Sequence, residues 1–263
     1  MAESVRVSRP GTGVARVTLA RPERHNAFDA EMIERLTRVL AELDADDGVS
    51  VVVLDGEGRS FCAGADLGWM REAATRDRAG NIADAQALAR LMATLDGLRK
   101  TSLALVHGAA YGGGFGLVAC CDIAIAAEEA RFGLTEARLG LIPAVISPYV
   151  IDAIGSRQAR RLFQTAETFS AAEAARIGLV HEVVAGERLA SRGEEIVALL
   201  TAAAPGARAQ AKRLVAAVKD HPRDEALLAL TAEWIATIRE GPEAAEGIAA
   251  FFERRPASWR REG

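Results

Sequence analysis

A run of glycines at residues 112–114 constrains this chain more than any other feature of its sequence. It follows the apolar run 102–106 and precedes the apolar stretch 115–121, so we expect a junction between a strand and a buried helix. The first N–H groups of a helix have no partner within it, and glycine lets a ligand oxygen approach them closely. One well-aimed N–H donor at a developing oxyanion lowers a barrier by roughly 3 to 4 kcal/mol. The glycines therefore suit chemistry that builds charge on a carbonyl oxygen.

A second turn of small residues, Ala63-Gly64-Ala65, follows the strand-like run 49–54. Two such turns could supply two donors to one oxygen. The alternative is that the glycines only allow a helix to pack closely, which is the commoner use of such a run in an arbitrary sequence. The second turn favours the catalytic interpretation.

Four motifs carry a resemblance to a known family. FCAGAD, VHG followed by GGG, CCD and FGLTEARLGLIP occur in that order, and together they resemble the enoyl-CoA hydratase/isomerase (crotonase) superfamily over essentially the whole chain. The residues within these motifs are most similar to those of bacterial hydratases of the methylglutaconyl-CoA type. The resemblance implies an α/β fold: a crotonase-like ββα spiral core with the active site in residues 1–200, and a C-terminal helical oligomerisation region in residues 201–263. In similar proteins these helices pack between the subunits of a trimer, and two trimers stack.

Size and composition agree with one large unit of layered helices and strands. The chain has 263 residues, of which 50% are hydrophobic and only 5% aromatic. Its net charge of −4 gives no overall attraction to nucleic acid or to an anionic membrane. Cys62, Cys120 and Cys121 are odd in number and lack paired spacing, so neither a disulfide framework nor a zinc site is expected. Without an apolar signal core or a run of about 18 apolar residues, we expect a soluble, cytoplasmic protein.

Local patterns predict the order of the elements. Short strands at 5–7 and 14–19 suit a hairpin, and Asp29 suits the N-cap of a helix that continues to about Asp44. Residues 69–80 have no clear period and are interpreted as a mobile flap or a short helix, before a helix at 81–100. The order of strand, turn, helix and strand repeats loosely, which favours a parallel, right-handed arrangement. Beyond Glu136 the chain is mainly helical.

The resemblance assigns the catalytic roles. It implies that the N–H groups of Ala65 and Gly113 hold a thioester carbonyl oxygen and that Glu136 moves the proton. Hydratases of the family typically have another glutamate two residues after the glycine triplet, where this chain has Gly116. A single carboxylate suits a proton shuttle between Cα and Cγ, so Gly116 favours an isomerase of 3-enoyl-CoA. The residues of the motifs in detail favour a hydratase instead. A third possibility is a non-enzymatic protein that binds RNA or another partner, against which the dense site motifs and the acidic balance argue.

The remaining assignments concern binding. The resemblance implies that Arg24 and the backbone of Ala63 and Gly64 hold coenzyme A, which is part of the substrate and not a cofactor. Phe251 and Arg254 match positions that reach the coenzyme A of a neighbouring subunit. The acyl pocket and the turns beside it are expected to include Asp66, Trp69, Met70, Tyr111 and Gly112. The position of Asp66 just after a turn favours an N-cap over a catalytic carboxylate, and Arg71 could meet a distal carboxylate of the substrate. No metal is expected.

Overall fold

The computed structural model describes residues 3–260; positions 1, 2 and 261–263, at the outer ends of the two expected regions, lie outside the described residues. The strands found within that range are β1 Val5–Gly11, β2 Gly13–Leu19, β3 Val49–Gly56, β4 Thr101–Val106, β5 Ala109–Tyr111, β6 Ile123–Ala127, β7 Arg131–Gly133, β8 Thr168–Ser170 and β9 Glu182–Val184. The helices are α1 Ala30–Ala45, α2 Leu67–Ala73, α3 Arg78–Asp96, α4 Gly113–Cys120, α5 Ser147–Thr165, α6 Ala171–Arg176, α7 Leu189–Ala202, α8 Pro205–Val218, α9 Glu225–Arg239 and α10 Pro242–Glu253.

The main sheet contains six strands in the order β1-β2-β3-β4-β6-β9. The hairpin of β1 and β2 is antiparallel, and every later pair in this sheet is parallel. The hairpin, the parallel arrangement and the mixed α/β class are therefore confirmed, as is the helical character of the C-terminal region.

Both faces of the main sheet are covered, which explains why its central strands are almost continuously apolar. Alternate residues of β3 point to opposite sides. Val52 and Leu54 lie in the larger core with α1, α3 and α4. Val51 and Val53 lie in a smaller core beneath Leu189 of α7. The sheet is thus the middle layer of the molecule.

Helix α1 shows how local sequence sets an element. The Asp29 side chain accepts a hydrogen bond of 2.9 Å from the Met32 N–H group, which confirms the expected N-cap. Apolar residues recur at helical spacing, and the buried ones are Met32, Ile33, Leu36, Val39, Leu40 and Leu43. The start and the inner face of α1 are both encoded locally.

The region 69–80 contains most of one helix and the start of the next, joined by the non-helical residues 74–77. Residues 67–73 form α2, and α3 begins at Arg78 with Asp77 as its N-cap, which accepts from the Gly80 N–H group at 2.8 Å. The predicted helix at 81–100 therefore starts and ends a few residues earlier than expected. Helix α2 has no fully buried residue, so it lacks the buried apolar stripe that a periodicity search detects.

The smaller sheet has the order β5-β7-β8, with β5 and β7 parallel. Its three-residue strands are too short to give a periodic signal in sequence. Its Phe132 and Phe169 rings pack against Phe115 of α4, and the three ring centroids lie 6.0 to 6.4 Å apart. The sheet positions the two elements that matter most below: α4, after β5, and the turn that follows β7.

Helices α8, α9 and α10 contribute only Ala250 to the buried set within residues 3–260. Two cations tie α8 to the sheet: Arg208 donates to the Ser50 carbonyl and the Thr101 hydroxyl, and Lys212 pairs with Asp122 at 3.1 Å. Large apolar side chains remain exposed here, including Leu228, Ile235, Ile248, Phe251 and Phe252. Over residues 3–260, no helix has both the length and the apolar character needed to cross a bilayer.

Candidate active site

The first bend of the site runs from Cys62 to Asp66, after β3. Cys62 bridges to Ala110 and Ala65 bridges to Phe28, both in parallel fashion. Gly64 adopts φ 93, a left-handed conformation that favours glycine. A Cβ atom there would also lie 3.0 Å from the Tyr111 carbonyl oxygen, so the bend depends on glycine twice over.

The second bend joins β5 to α4. Gly112 is the residue before the helix and has φ 49, again in the region that favours glycine. A Cβ on Gly113 would lie 2.5 Å from the Phe28 ring, and one on Gly114 would lie 2.8 Å from the Cys62 Cβ. Two of these glycines are therefore needed for close packing, as the alternative interpretation held.

The two bends lie against each other. A Cβ built on Gly64 would lie 3.8 Å from the Gly112 Cα, and one built on Gly112 would lie 3.9 Å from the Gly64 Cα. Gly64 precedes Ala65 and Gly112 precedes Gly113, so the two predicted donors follow residues that are in contact.

Neither predicted donor is used by the protein. The N–H groups of Ala65 and Gly113 have no hydrogen-bond acceptor among residues 3–260. The Phe28 N–H group donates to the Gly64 carbonyl at 2.7 Å, and the Asp66 N–H group donates to the Phe28 carbonyl at 2.8 Å. In such a parallel bridge the N–H group of the middle residue, Ala65, points away from the bridging strand. Gly113 is the first helical residue, so its N–H group has no partner within α4.

Glu136 lies beside these bends because of strand pairing. Tyr111 of β5 pairs with Gly133 of β7 in parallel, and the ends of parallel strands meet at one edge. The residues that follow, Gly112 and the short 3₁₀ helix Glu136–Leu139, therefore come together. A Cβ on Gly112 would lie 3.1 Å from Glu136 Oε1.

The environment of Glu136 opposes its charge. Its Oε2 atom is buried and has no hydrogen-bond partner in the described part of the chain. Burial raises the pKa of this carboxyl group above its ordinary value, against a smaller lowering by its own backbone N–H group. A half-buried carboxylate with a raised pKa suits proton transfer near neutral pH.

Position 116 has no room for a side chain. A Cβ on Gly116 would lie 3.0 Å from the Ile146 Cβ, nearer still to the Ile146 Cγ2, and 3.3 Å from the Met92 sulfur. Ile146 and Met92 are both buried. A glutamate side chain at this point, which the family resemblance would lead one to expect, is therefore excluded by packing as well as by sequence. Ile146 was not identified from the sequence, because its partner lies thirty positions away, on another element.

Asp66 has a structural role. Its Oδ1 atom accepts from the N–H groups of Gly68 and Trp69 at 2.8 and 3.3 Å, so it caps α2, as its position just after the turn suggested. Its other oxygen lies 3.7 Å from the Arg21 guanidinium. Both oxygens thus face groups of the protein.

The remaining predicted residues differ in how far they are buried. Trp69, on α2, packs partly on the larger core, and its Nε1 atom is buried without a partner among residues 3–260. Met70 is half-buried on the same helix. The Tyr111 ring lies against β7, with its Cδ1 3.4 Å from a Cβ built on Gly133. Four other residues predicted to bind substrate are exposed: Arg24, Arg71, Phe251 and Arg254.

Two histidines near the bends lie within hydrogen-bond distance of loop residues. His107 Nε2 lies 3.0 Å from the Gly58 carbonyl, and His25 Nδ1 lies 3.1 Å from the Ser60 hydroxyl. Next to His25, Asn26 is fully buried, which sequence reasoning missed. The sequence gives only a slight indication of this role, namely that asparagine tolerates a left-handed backbone and that a Pro-containing turn precedes Asn26.

The chain matches known proteins over nearly its whole length. The model of the family described as enoyl-CoA hydratase/isomerase matches residues 9–262. A crystal structure of an enoyl-CoA hydratase from Shewanella pealeana superposes with a TM-score of 0.94 at 42% identity, covering 98% of this chain and 96% of that one. A mevalonyl-coenzyme A hydratase of Aspergillus fumigatus is 32% identical over 97% of this chain and 94% of its own length.

A (E)-benzylidenesuccinyl-CoA hydratase of Thauera aromatica is also 32% identical, over 94% of this chain and 95% of its own. The family match, the relatives and the superposition cover the main sheet, both bends and the C-terminal helices alike. The chain therefore has the crotonase fold and belongs to the enoyl-CoA hydratase/isomerase family.

Proposed function

We propose that this protein is an enoyl-CoA hydratase, which adds water reversibly to a 2-enoyl-CoA thioester, branched or of the methylglutaconyl type. The observation that carries the proposal is the meeting of two bends with the half-buried carboxylate of Glu136. Each bend is followed by an N–H group that has no acceptor among residues 3–260. Relatives named as hydratases, about a third identical over nearly the whole chain, support it.

In this proposal the thioester carbonyl oxygen accepts hydrogen bonds from Ala65 and Gly113. Negative charge gathers on that oxygen when a nucleophile adds to the conjugated double bond. Donors that face the oxygen stabilise this enolate more than they stabilise the neutral thioester, and the barrier falls accordingly. Neither donor has to give up an acceptor first, because neither has one in the part of the chain that the structure describes.

Glu136 carries the proton. Its carboxylate removes a proton from water while the water oxygen bonds to the β-carbon, and the π electrons move to the carbonyl oxygen. The enolate then collapses, and the same carboxyl group returns the proton to the α-carbon. A single carboxylate suffices because the proton it gives is the one it took.

The alternative function is isomerisation of a 3-enoyl-CoA to the 2-enoyl isomer. The packing of Ile146 and Met92 on Gly116 favours it, because no second carboxylate can stand at that position. Glu136 would remove a proton from the α-carbon, which leaves a dienolate whose oxygen is held by the same two N–H groups, and would return the proton at the γ-carbon. This route needs no water.

Substrate binding is proposed to use both bends and their neighbours. Arg24 and the backbone of Ala63 and Gly64 hold the coenzyme A part of the substrate. The acyl chain lies near α2 and β5, against Trp69, Met70 and Tyr111, beside the Gly112 and Asp66 turns. Arg71, exposed in the last turn of α2, would meet the distal carboxylate of a dicarboxylic acyl group.

We further propose a cytoplasmic homo-oligomer, a trimer or a dimer of trimers. The apolar side chains exposed on the C-terminal helices support this, because such a surface is rarely left open to water. Phe251 and Arg254 would then reach the coenzyme A of a neighbouring subunit.

The direct test is to incubate the purified protein with crotonyl-CoA, 3-methylglutaconyl-CoA and a 3-enoyl-CoA. Loss of the absorbance of the conjugated thioester with either 2-enoyl substrate shows hydration. A gain of that absorbance with the 3-enoyl substrate alone shows isomerisation and overturns the hydratase proposal. Absence of change with all three would remove both functions.

The same assay tests Arg71. If it reads a distal carboxylate, Arg71→Ala lowers kcat/KM for 3-methylglutaconyl-CoA and leaves crotonyl-CoA unaffected. Equal behaviour of the two substrates would exclude that role.

A further inference from the structure

The orientation of the Ala65 N–H group depends on a neighbouring loop, residues 25–28. Three backbone hydrogen bonds join this loop to the first bend: Ala63 N–H to His25 carbonyl at 3.0 Å, Phe28 N–H to Gly64 carbonyl, and Asp66 N–H to Phe28 carbonyl. The bonds flank Ala65 on both sides. Any displacement of the loop therefore turns the Ala65 peptide.

The loop has an unusual backbone. His25 and Asn26 have φ of 51 and 54, so two consecutive residues other than glycine adopt the left-handed conformation. A residue with a side chain is strained in this conformation, so the surrounding structure must hold the loop in place.

The side chain of Asn26 supplies that restraint. It is fully buried, and its Nδ2 atom donates to the carbonyls of Glu57 and Ser60 at 2.9 and 2.7 Å. Its Oδ1 atom accepts from the Arg21 N–H group at 2.8 Å. Glu57 and Ser60 lie in the segment that leads from β3 into the first bend. Asn26 thus joins the loop to the segment that it orients.

Arg21 holds the same loop from the other side, and we call the side chains of Asn26 and Arg21 together the brace. Its guanidinium donates to the Ala27 carbonyl at 3.1 Å and pairs with Asp29 at 2.5 Å. It also lies 3.7 Å from Asp66, the residue directly after Ala65. One mostly buried cation therefore links the N-caps of α1 and α2, on either side of the bridge at Ala65.

From this network we infer that Asn26 and Arg21 are positioning residues, which aim the Ala65 N–H group at the thioester carbonyl oxygen. Neither residue needs to touch the substrate. The inference rests on the proposed function, since it assigns these two residues to the oxyanion donor. A displacement of the donor by about 1 Å is enough to cost on the order of a hundredfold in rate.

Two variants disturb the brace from different ends. Asn26→Gly removes the three side-chain hydrogen bonds and still permits the left-handed backbone. Arg21→Lys keeps the charge and loses the fork that reaches Ala27, Asp29 and Asp66 together. The control is Ser102→Ala, since Ser102 is equally buried and hydrogen-bonded to Asp122 on a main-sheet strand outside the site. Circular dichroism first selects a temperature at which each protein is folded.

The measurement compares two unreactive ligands, butyryl-CoA and the thioether S-butyl-CoA, which lacks the carbonyl oxygen. Wild-type protein should bind the thioester more tightly and shift its carbonyl infrared band to lower frequency. In Asn26→Gly and Arg21→Lys the preference and the shift should both shrink, while the thioether binds as before. Turnover of the active 2-enoyl or 3-enoyl substrate should fall at least about tenfold in kcat, with little change in KM.

The possible failures are distinct. If Ser102→Ala loses the thioester preference as well, or if both brace variants keep the wild-type preference and band shift, the inference is overturned. If Asn26→Gly does not fold, Arg21→Lys decides alone. If the wild-type protein binds both ligands equally and shows no band shift, the oxyanion site of the proposed function fails instead.

Discussion

At the scale of single residues, Glu136 lies where burial disfavours the charged form of its carboxyl group. One carboxylate oxygen lies against Gly112, and the other is buried without a partner in residues 3–260. Burial raises its pKa, so at a given pH the carboxylate that forms is a stronger base than an exposed one. Burial of this carboxylate thus destabilises the fold when the group is charged, and the proposed proton transfer uses the same burial.

The pH dependence of activity should report this group. As a base, Glu136 must be ionised, so kcat/KM should rise with pH through a pKa above the ordinary glutamate value of about 4.3. The same raised pKa makes a contribution to stability that is full below the unfolded pKa and lost as pH rises through the folded one. Initial rates and urea titrations between about pH 4 and 8 measure both.

Glu136→Gln is the matching variant. Its turnover should fall by about a hundredfold or more while it still binds butyryl-CoA, and its stability should lose this pH dependence. Turnover near the wild-type rate would remove Glu136 from the mechanism.

Gly116 is a second residue whose surroundings determine its role. Alanine is preferred over glycine in a helix by about 1 kcal/mol, but the added Cβ would overlap Ile146, and overpacking costs about 1 to 3 kcal/mol. We therefore expect Gly116→Ala to lower the free energy of unfolding. Combined with Ile146→Ala, which removes the clashing methyl group, the loss should be smaller than the sum of the two single losses.

A denaturant-based double-mutant cycle measures this coupling. Additive losses would show that Ile146 does not close position 116. Ile146→Ala by itself supplies the cavity term, which is about 2 to 5 kcal/mol for a buried side chain of this size.

At the scale of elements, the site depends on how helices and strands begin and end. Helix α4 begins at Gly113, whose N–H group has no acceptor between residues 3 and 260. Asp29 and Asp66 are the N-caps of helices α1 and α2, and Arg21 pairs with Asp29 and lies near Asp66. Strands β5 and β7 end side by side and bring Gly112 and Glu136 together. The site is thus assembled from element termini, where main-chain groups are unpaired.

Asp29→Ala should therefore have two effects. Loss of the N-cap should cost about 1 kcal/mol of stability, seen as a lower urea midpoint. Loss of the Arg21 partner should also lower kcat. The control is Asp77→Ala, which removes the cap of α3 but no partner of Arg21. Equal kcat values in the two variants would separate the Asp29 cap from the site.

At the scale of the whole molecule, the core and the C-terminal helices are built differently. The core buries both faces of a parallel sheet. Helices α8 to α10 bury little and are held partly by Arg208 and Lys212. Phe251 and Phe252 are 79% and 78% exposed, with ring centroids 5.6 Å apart. Such a surface suits contact between copies of the chain.

The double variant Phe251→Ser and Phe252→Ser should therefore shift the protein to a smaller assembly without unfolding it. Sedimentation velocity gives the assembly size, and circular dichroism checks the fold. Val7→Ser, at an exposed apolar site on β1, is the control and should leave the assembly unchanged. A wild-type protein that sediments as a monomer at micromolar concentration would exclude the proposed oligomer.

Much of the fold could be predicted because its signals are local. Asp29 caps a helix with a periodic buried face, and the apolar runs at β3 and β4 form a parallel pair. The region 69–80 was ambiguous because α2 is short and buries no residue completely. The small sheet was missed because three-residue strands leave no period.

The residues missed near the site share one property, which is that their partners are distant in the chain. Asn26 bonds to Ser60, 34 positions away, and Ile146 contacts Gly116 from the start of another helix. No spacing rule connects such pairs. Motifs identified the candidate donors and Glu136, whereas the groups that hold them could be found only from their contacts.

The sequence by itself determined where this chain turns and which turns carry glycine, and its FGLTE motif marked Glu136 as the candidate catalytic glutamate. Only the tertiary structure decided that the two turns touch, that Glu136 lies beside Gly112 with one oxygen buried, and that position 116 is closed. The physical reason is that turns and caps depend on neighbouring residues, whereas a site depends on which strand ends meet once the sheet has paired.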